Sequence, residues 1–144
     1  MVKGHKIERL LWSIALPGFG QFLNKKYLKG VVLIALEVLI NVQSDLNVSI
    51  QMSFQGNIAG AIETTDYEWL MFYPCVYMFG IWDAYRDADE KEQPLSFLPY
   101  VSAAFFATVG MIYSPYFLGP VWLSLLFCFV GVGIGLLLKK ILLR

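Results

Sequence analysis

Apolar residues of this chain are gathered into long stretches that short polar or charged segments separate. The hydrocarbon core of a bilayer is about 30 Å thick, and a helix needs about 20 apolar residues to cross it, with roughly 17 as a practical minimum. Four stretches meet this length and predict transmembrane helices over residues 27–44, 67–85, 95–113 and 120–138. The pattern therefore predicts an all-α integral membrane protein in which residues 1–144 form a single membrane domain.

The first apolar stretch, residues 10–24, is too short to fit this description. Its apolar run Leu10–Leu23 has 14 residues, which would extend only about 21 Å as a helix. Pro17, Gly18 and Gly20 fall in this run and disfavour a continuous helix. We therefore predict a re-entrant or interfacial helical segment with both ends on the same side of the membrane. A full crossing is the alternative.

All eleven Lys and Arg residues lie in four short clusters. The clusters are Lys3/Lys6/Arg9, Lys25/Lys26/Lys29, Arg86/Lys91 and Lys139/Lys140/Arg144. Cytoplasmic loops of multi-pass proteins carry the excess of Lys and Arg, and four crossings after a re-entrant segment put every cluster on that side. Charge thus predicts a multi-pass protein of the plasma (inner) membrane with both termini cytoplasmic. A full crossing by residues 10–23 would instead place the first or the second cluster outside.

Residues 45–66 contain no Lys or Arg, and we predict that they form a long outer loop. Apolar and polar residues alternate from Val48 to Gln55, as they do in a strand. Four apolar residues of the loop are also spaced as on one helix face: Leu46, Ile50, Phe54 and Ile58. We favour an amphipathic helix on the outer surface, because a lone strand has no sheet to join.

Composition limits the classes of function. Hydrophobic residues make up 58% of the chain and charged residues 15%, and the formal net charge is zero. A neutral chain has no overall attraction to nucleic acid. His5 is the only histidine, so the sequence offers no histidine-activated nucleophile and no His/Cys metal cluster. We therefore expect no enzymatic activity, no cofactor or metal, and no nucleic-acid partner.

Glu37 is the one ionisable residue deep within a predicted crossing. Asn41 and Ser44, which follow Glu37, and Gly30, which precedes it, lie on the same helix face. A carboxylate facing lipid costs at least about 2.5–3.5 kcal/mol, so this polar stripe should face other helices. A neutral carboxyl in a hydrogen bond between helices is the simpler interpretation. A proton- or ion-linked site, or a contact to a partner helix, is the functional alternative.

A charged segment follows the second predicted crossing. Asp83 and Arg86 are three residues apart, as neighbours on one helix face are. The acidic residues of this segment are Asp83, Asp87, Asp89, Glu90 and Glu92. We favour a solvated helix end over a divalent-cation site, because no calcium-loop spacing is present. The predicted inner interface comprises Lys25, Lys26, Lys29, Trp82, Asp83 and Arg86.

Small residues mark a further helix surface in the last predicted crossing. Gly131 and Gly135 are four residues apart and so lie on the same face. Such a small-xxx-small surface lets two helices approach closely. We favour packing within the chain over self-association.

The most distinctive sequence is the turn that connects the first two apolar segments. We assign this turn to Pro17, Gly18, Gly20, Gln21, Asn24 and Gly30. Gln21 and Asn24 can bond backbone amides that the turn frees. Lys25, Lys26 and Lys29 are placed to meet anionic headgroups of the inner leaflet.

This turn resembles the Gly-rich, aromatic-Tyr-Lys-Gly turn of the two-transmembrane (TM-two) domain superfamily. Trp82-Asp83 is similar to the closing aromatic-Asp element of that family, so the resemblance covers roughly residues 8–42 and 76–86. It implies a small bacterial membrane protein, and architecture more than mechanism, because the family is largely without a defined activity. The acidic-Arg-Phe signature of many members is absent here, and the last two predicted helices have no counterpart in the minimal domain.

Together these features predict a non-enzymatic accessory or scaffold protein. Its surroundings would be the lipid bilayer, and its partner another membrane protein or a second copy of the chain. The alternative is a subunit of a small transporter or channel that uses the intramembrane carboxylate of Glu37.

Overall fold

The computed structural model describes residues 2–88 and 93–144. Within these residues every regular element is an α-helix and no strand occurs, which confirms the all-α prediction. The helices are α1 (Val2–Ala15), α2 (Phe19–Leu23), α3 (Tyr27–Ser44), α4 (Leu46–Phe54), α5 (Ile58–Thr64), α6 (Tyr67–Leu70), α7 (Tyr73–Asp87), α8 (Leu98–Tyr113) and α9 (Gly119–Leu142).

The N-terminal segment consists of two helices with a sharp break between them. α1 begins at Val2, well before the predicted segment 10–24, and its Lys6 ammonium lies 5.0 Å from the centroid of the Tyr85 ring. Gly18 lies in the break with a φ of 104°. A Cβ there would come within 2.6 Å of the Gly30 carbonyl oxygen, so only glycine lets α2 and α3 approach this closely.

The segment predicted as a loop over residues 45–66 contains two short helices, α4 and α5. Helical structure is therefore confirmed and the strand alternative is wrong, but the expected single helix face is divided between Phe54 and Ile58. The buried residues of α4 are Leu46, Ser49 and Ser53, whereas the expected apolar face included Phe54, which is 67% exposed. Small serine side chains face the interior because α4 packs closely against the C-terminal end of α5. There the Thr65 hydroxyl donates to the Ser49 hydroxyl at 2.9 Å.

The stretch 67–85, predicted as one continuous helix, is divided into α6 and α7. The division follows from Pro74 in the first turn of α7. Pro74 has no N–H to donate to the carbonyl of Leu70, four residues earlier, and its ring would clash with that carbonyl. α6 accordingly ends at Leu70 and α7 begins at Tyr73.

α8 and α9 form a closely packed hairpin. Gly131 and Gly135 of α9 face α8, where an added Cβ would come within 2.5 Å of the carbonyl oxygens of Ser102 and Leu98 respectively. Gly110 of α8 approaches α9 in the same way, with Leu123 oxygen 2.9 Å from an added Cβ. The small-residue surface is therefore used within the chain, as the sequence analysis favoured.

Two of the described helices, α3 and α9, are long and apolar enough to cross a membrane. α8 is apolar but shorter, with 16 residues. α3 has the same bounds as the predicted stretch 27–44, and α9 continues beyond the predicted end at 138. Both helices leave large apolar side chains exposed, among them Val38 (54%) and Phe129 (68%). Exposed apolar surface of this kind marks a site of membrane or protein contact.

Candidate functional site

A group of polar side chains joins α2 and α3 to α7 at one end of the bundle. We call this group the polar clasp; its members are Gln21, Asn24, Lys29, Asp83, Arg86 and Asp87. Asp83 lies at its centre and is only 1% exposed. Its Oδ1 accepts from Lys29 Nζ and Arg86 Nη2, both at 2.8 Å, and its Oδ2 accepts from Gln21 Nε2 at 3.2 Å. Charge-assisted bonds of this length are the stronger class of hydrogen bond.

Asp87, one helical turn after Asp83, completes the ion pairs. Lys29 Nζ donates to Asp87 Oδ2 at 3.0 Å, and Arg86 Nη2 donates to its Oδ1 at 3.1 Å. Partial burial by itself raises the pKa of Asp87, but the bonds from Lys29 and Arg86 outweigh it and hold that pKa below the ordinary value. The two acids and two bases of the clasp therefore neutralise one another.

Gln21 and Asn24 fix the short helix α2 against α7. Gln21 Nε2 donates to the Gly80 carbonyl, and Asn24 Nδ2 donates to the Ala84 carbonyl, both at 2.8 Å. Asn24 Oδ1 also accepts from Arg9 Nε of α1 at 2.6 Å. The prediction that these amides would satisfy freed backbone N–H groups of their own turn is wrong. They bind carbonyl groups of a helix some sixty positions later.

The structure corrects two predictions for the charged residues. Lys29 binds Asp83 and Asp87 rather than being left for headgroups, since two carboxylates lie within reach of its ammonium. Asp83 is buried, so it is not part of a solvated helix end. Lys25 and Lys26 are exposed beside the clasp. The predicted residues Asp89, Glu90, Lys91 and Glu92 lie outside the described part of the chain.

Trp82 supports the clasp from the α8 side. The Arg86 guanidinium lies 4.5 Å from the centroid of the Trp82 ring, a cation–π contact. Trp82 Nε1 donates to Ser96 Oγ at 3.2 Å. Arg86 is thereby held between its acidic partners and an aromatic face.

The predicted polar stripe on α3 does not act as one unit. Glu37 is 8% exposed, and its Oε1 accepts from the Tyr73 hydroxyl at 2.9 Å. Ser44 donates to the Ile40 carbonyl of its own helix, and Asn41 donates to Asn47 of α4. A hydrogen bond between helices, as predicted, therefore holds Glu37. Its Oε2 is buried and has no partner among the described residues.

The glycines of the predicted turn serve close packing. An added Cβ on Gly20 would come within 2.6 Å of the Ala84 Cβ, so α2 lies directly on α7. An added Cβ on Gly30 would meet the Gly18 carbonyl oxygen at 3.0 Å, and Pro17 is fully buried. The turn residues and Asp83 are thus brought together, whereas Asn41 and the Gly131/Gly135 surface belong to other contacts.

Two adjoining cavities run along the exposed face of α7. One, of about 730 Å³, lies between α7 and α3, with Lys29, Asp83 and Arg86 at one end. The other, of about 580 Å³, lies between α7 and α8. Cys75 and Phe79 line both cavities, and we call the joint depression the α7 groove. Cys75 is exposed and Phe79 is 53% exposed.

The sequence analysis placed Arg9 only in the first basic cluster and assigned no site to Cys75 or Phe79. The signal for the α7 groove was available, since Cys75, Phe79 and Trp82 recur at helical spacing and share one face of α7. No signal in the sequence pairs Arg9 with Asn24.

Comparison of the chain with protein-family models, with curated proteins and with solved structures gave no match. The polar clasp, the α7 groove and the exposed apolar surface are the structural features that bear on function.

Proposed function

We propose that this chain is a non-enzymatic, polytopic membrane protein that holds a transmembrane helix of a partner protein in the α7 groove. The chain would cross the plasma membrane four times, with both termini cytoplasmic. α1 and α2 would form the segment that dips into the membrane without crossing. The polar clasp would then lie at the cytoplasmic end of the bundle.

The membrane part of this proposal is supported by apolar surface and by charge. α3 and α9 have the length and hydropathy of spanning helices, and the four Lys/Arg clusters fit one side of the membrane. The TM-two resemblance stays part of the proposal. It is supported by the packing of the turn around Pro17 and Gly20 against Gly80 and Ala84, which joins the two resembling stretches.

The α7 groove is the observation that carries the scaffold role. A transmembrane helix that contacts Cys75 and Phe79 would have α3 on one side and α8 on the other. An apolar helix that lies in an apolar groove is a recurrent mode of recognition. The acids of the clasp are already paired with Lys29 and Arg86, so the groove offers apolar contact rather than a catalytic centre.

Cross-linking from Cys75 in native membranes tests the scaffold role. Cys128 is changed to Ala so that the remaining thiol carries a photoreactive label. The matched control carries Val130→Cys and has neither native cysteine. Val130 is suitable because it is 50% exposed and lies outside the groove. We expect one discrete protein adduct from Cys75 and none from the control. Labelling of lipid alone from both positions would contradict the proposal, and an adduct of two identical chains would identify the partner as a second copy.

A side-chain deletion provides an independent test of the same groove. Phe79→Ala removes the exposed ring in the groove and should reduce the yield of the Cys75 adduct severalfold, because buried aromatic anchors dominate interface energetics. Phe117→Ala is the control, since Phe117 is 64% exposed in the turn before α9. Equal yields from both variants would show that the groove does not bind the partner.

The alternative function, a transporter or channel subunit, would depend on Glu37. The favouring observation is its buried Oε2, which has no partner among the described residues. Proton or ion flux into liposomes that contain the purified chain tests it, with Glu37→Gln compared against Glu68→Gln, which changes an exposed carboxylate. Flux that is absent, or equal in both variants, would exclude this alternative.

A further inference from the structure

A third cavity lies beside the α7 groove and shares Met78 and Tyr100 with the α8 side of that groove. It has a volume of about 420 Å³ and is lined by residues of α1, α7, α8 and α9. This volume is within the range of about 300–1,000 Å³ that is usual for ligand pockets. Its walls are mainly apolar, with contributions from Leu10 and Ile14 of α1 and from Leu125, Phe129 and Val132 of α9.

Most polar residues that line this cavity lie toward one end, whereas Tyr77 and Cys128 lie farther along its wall. Tyr85 comes from the last part of α7, Tyr100 from the first turn of α8, and Lys139 from the last turn of α9. The rings of Tyr85 and Tyr100 are 6.3 Å apart. Within residues 2–88 and 93–144, Lys139 forms no ion pair. Lys139 and two tyrosines therefore lie toward one end of a mainly apolar cavity.

We infer that this cavity is a binding site for one anionic phospholipid. An acyl chain lies along the wall that Leu10, Ile14 and Val132 form, and the phosphate binds the Lys139 ammonium. Basic pockets between helices on the cytoplasmic side are typical sites for anionic headgroups.

The lining of the cavity favours a lipid over a polar ligand. A polar metabolite would leave the apolar wall without a partner. The inference goes beyond the proposed scaffold role, since it concerns a lipid bound between α1, α7, α8 and α9 and requires only that the protein resides in a membrane.

Native mass spectrometry of the full chain in detergent tests the headgroup contact. The probes are phosphatidylglycerol and phosphatidylcholine with identical acyl chains. Lys139→Gln should weaken phosphatidylglycerol binding about fivefold, the contribution of one basic residue beside an anionic lipid. Lys140→Gln is the matched control, because Lys140 is the exposed neighbour that does not line the cavity. Equal effects of the two variants, or equal binding of the two lipids, would overturn the inference.

The acyl-chain contact is tested separately. Val132→Trp fills the cavity and should abolish retention of phosphatidylglycerol, whereas Val130→Trp, on the exposed face of α9, should leave it unchanged. A phosphatidylglycerol with a photoreactive group at the end of its acyl chain gives a test on the unaltered protein, in case Val132→Trp fails to fold. Adducts on Leu10, Ile14 or Val132 support the site, and adducts spread over the exposed face of α9 overturn it.

Discussion

Two kinds of contact hold the helices of this protein together, one on each side of α7. The polar clasp joins α2 and α3 to α7 through ion pairs and amide bonds around Asp83. The α8–α9 hairpin has no comparable group among the described residues and depends on glycines that bring the helix backbones together. Lipid tails are as apolar as leucine, so helices in a bilayer must associate through close packing or polar bonds. This chain uses both, in separate places.

This difference predicts that the clasp and the hairpin are destabilised by different kinds of substitution. In the clasp, a substitution should destabilise the protein when it removes a charge or a hydrogen-bonding group, because a carboxylate there must face its donors. In the hairpin, a substitution should destabilise the protein when it enlarges a side chain, because even a methyl group added at a packed glycine meets backbone atoms. The following variants test this contrast.

The largest effect is expected for Asp83→Ala. The change leaves Lys29 and Arg86 with Asp87 alone and deprives the Gln21 amide of one acceptor. Loss of one partner of a buried ion pair costs about 3–5 kcal/mol, and we expect the lower end because the Lys29 side chain is 44% exposed. Unfolding by SDS in mixed micelles measures the change. Asp87→Ala should cost less, as the Asp87 side chain is 15% exposed and Asp83 remains; equal losses would contradict a centre at Asp83.

Gly131→Ala tests the volume limit of the hairpin. The added methyl group would come within 2.5 Å of the Ser102 carbonyl oxygen, so α8 and α9 must separate. Overpacking of this kind costs about 1–3 kcal/mol. Gly133→Ala is the matched control on the same helix, because an added Cβ there meets nothing within 4 Å. The control should be neutral or slightly stabilising in the same SDS titration, and an equal loss in both variants would refute close packing as the cause.

Tyr73→Phe tests the second polar contact of α3 with α7. It removes the hydroxyl that donates to Glu37 Oε1 and leaves a buried carboxyl without a partner. Hydrogen bonds between helices in membranes average about 0.6 kcal/mol, with a maximum of about 1.7, and we expect a loss in this range. Glu37→Gln should cost less, since the amide oxygen can still accept from Tyr73. A larger loss for Glu37→Gln would assign the carboxyl a role beyond this bond.

The smallest effect is a dependence of stability on pH. The pKa of Asp87 is lowered in the folded protein, so its charge stabilises the fold above the unfolded value of 3.8, and this contribution is lost as pH falls through the lower folded pKa. SDS titrations in this acidic window should show a declining free energy of unfolding. Asp87→Asn should reduce that slope, and an unchanged slope would show that the bonds from Lys29 and Arg86 do not depend on the Asp87 charge.

The sequence predicts interactions between residues that are close along the chain better than interactions between residues that are far apart along it. The length of an apolar stretch is a local signal, and it predicted the bounds of α3. The spacing of Asp83 and Arg86 predicted their contact for the same reason. Lys29 and Asp83 are 54 positions apart, and no local rule pairs them. The division of 67–85 could have been predicted from Pro74, since its effect on Leu70 is local.

The glycine at position 20 shows a second limit of prediction. The flexibility of glycine predicts a turn at Gly20, yet Gly20 lies within the helix α2 and is required for contact with Ala84. A small residue in a sequence indicates that space is restricted or that the backbone must bend. Only the position of the neighbouring helix distinguishes the two.

The number of residues that separate two contacting helices along the chain also predicts the order in which the contacts form. The α8–α9 hairpin is closed by residues 114–118 alone, whereas the clasp joins residues 54 to 62 positions apart. Contacts between distant parts of a chain form more slowly than local ones. Synthesis releases α1 to α3 first, but their acceptors on α7 follow only after α4 to α6. We therefore expect the N-terminal helices to dock late, and Lys29 to remain without these two carboxylate partners until Asp83 and Asp87 are synthesised.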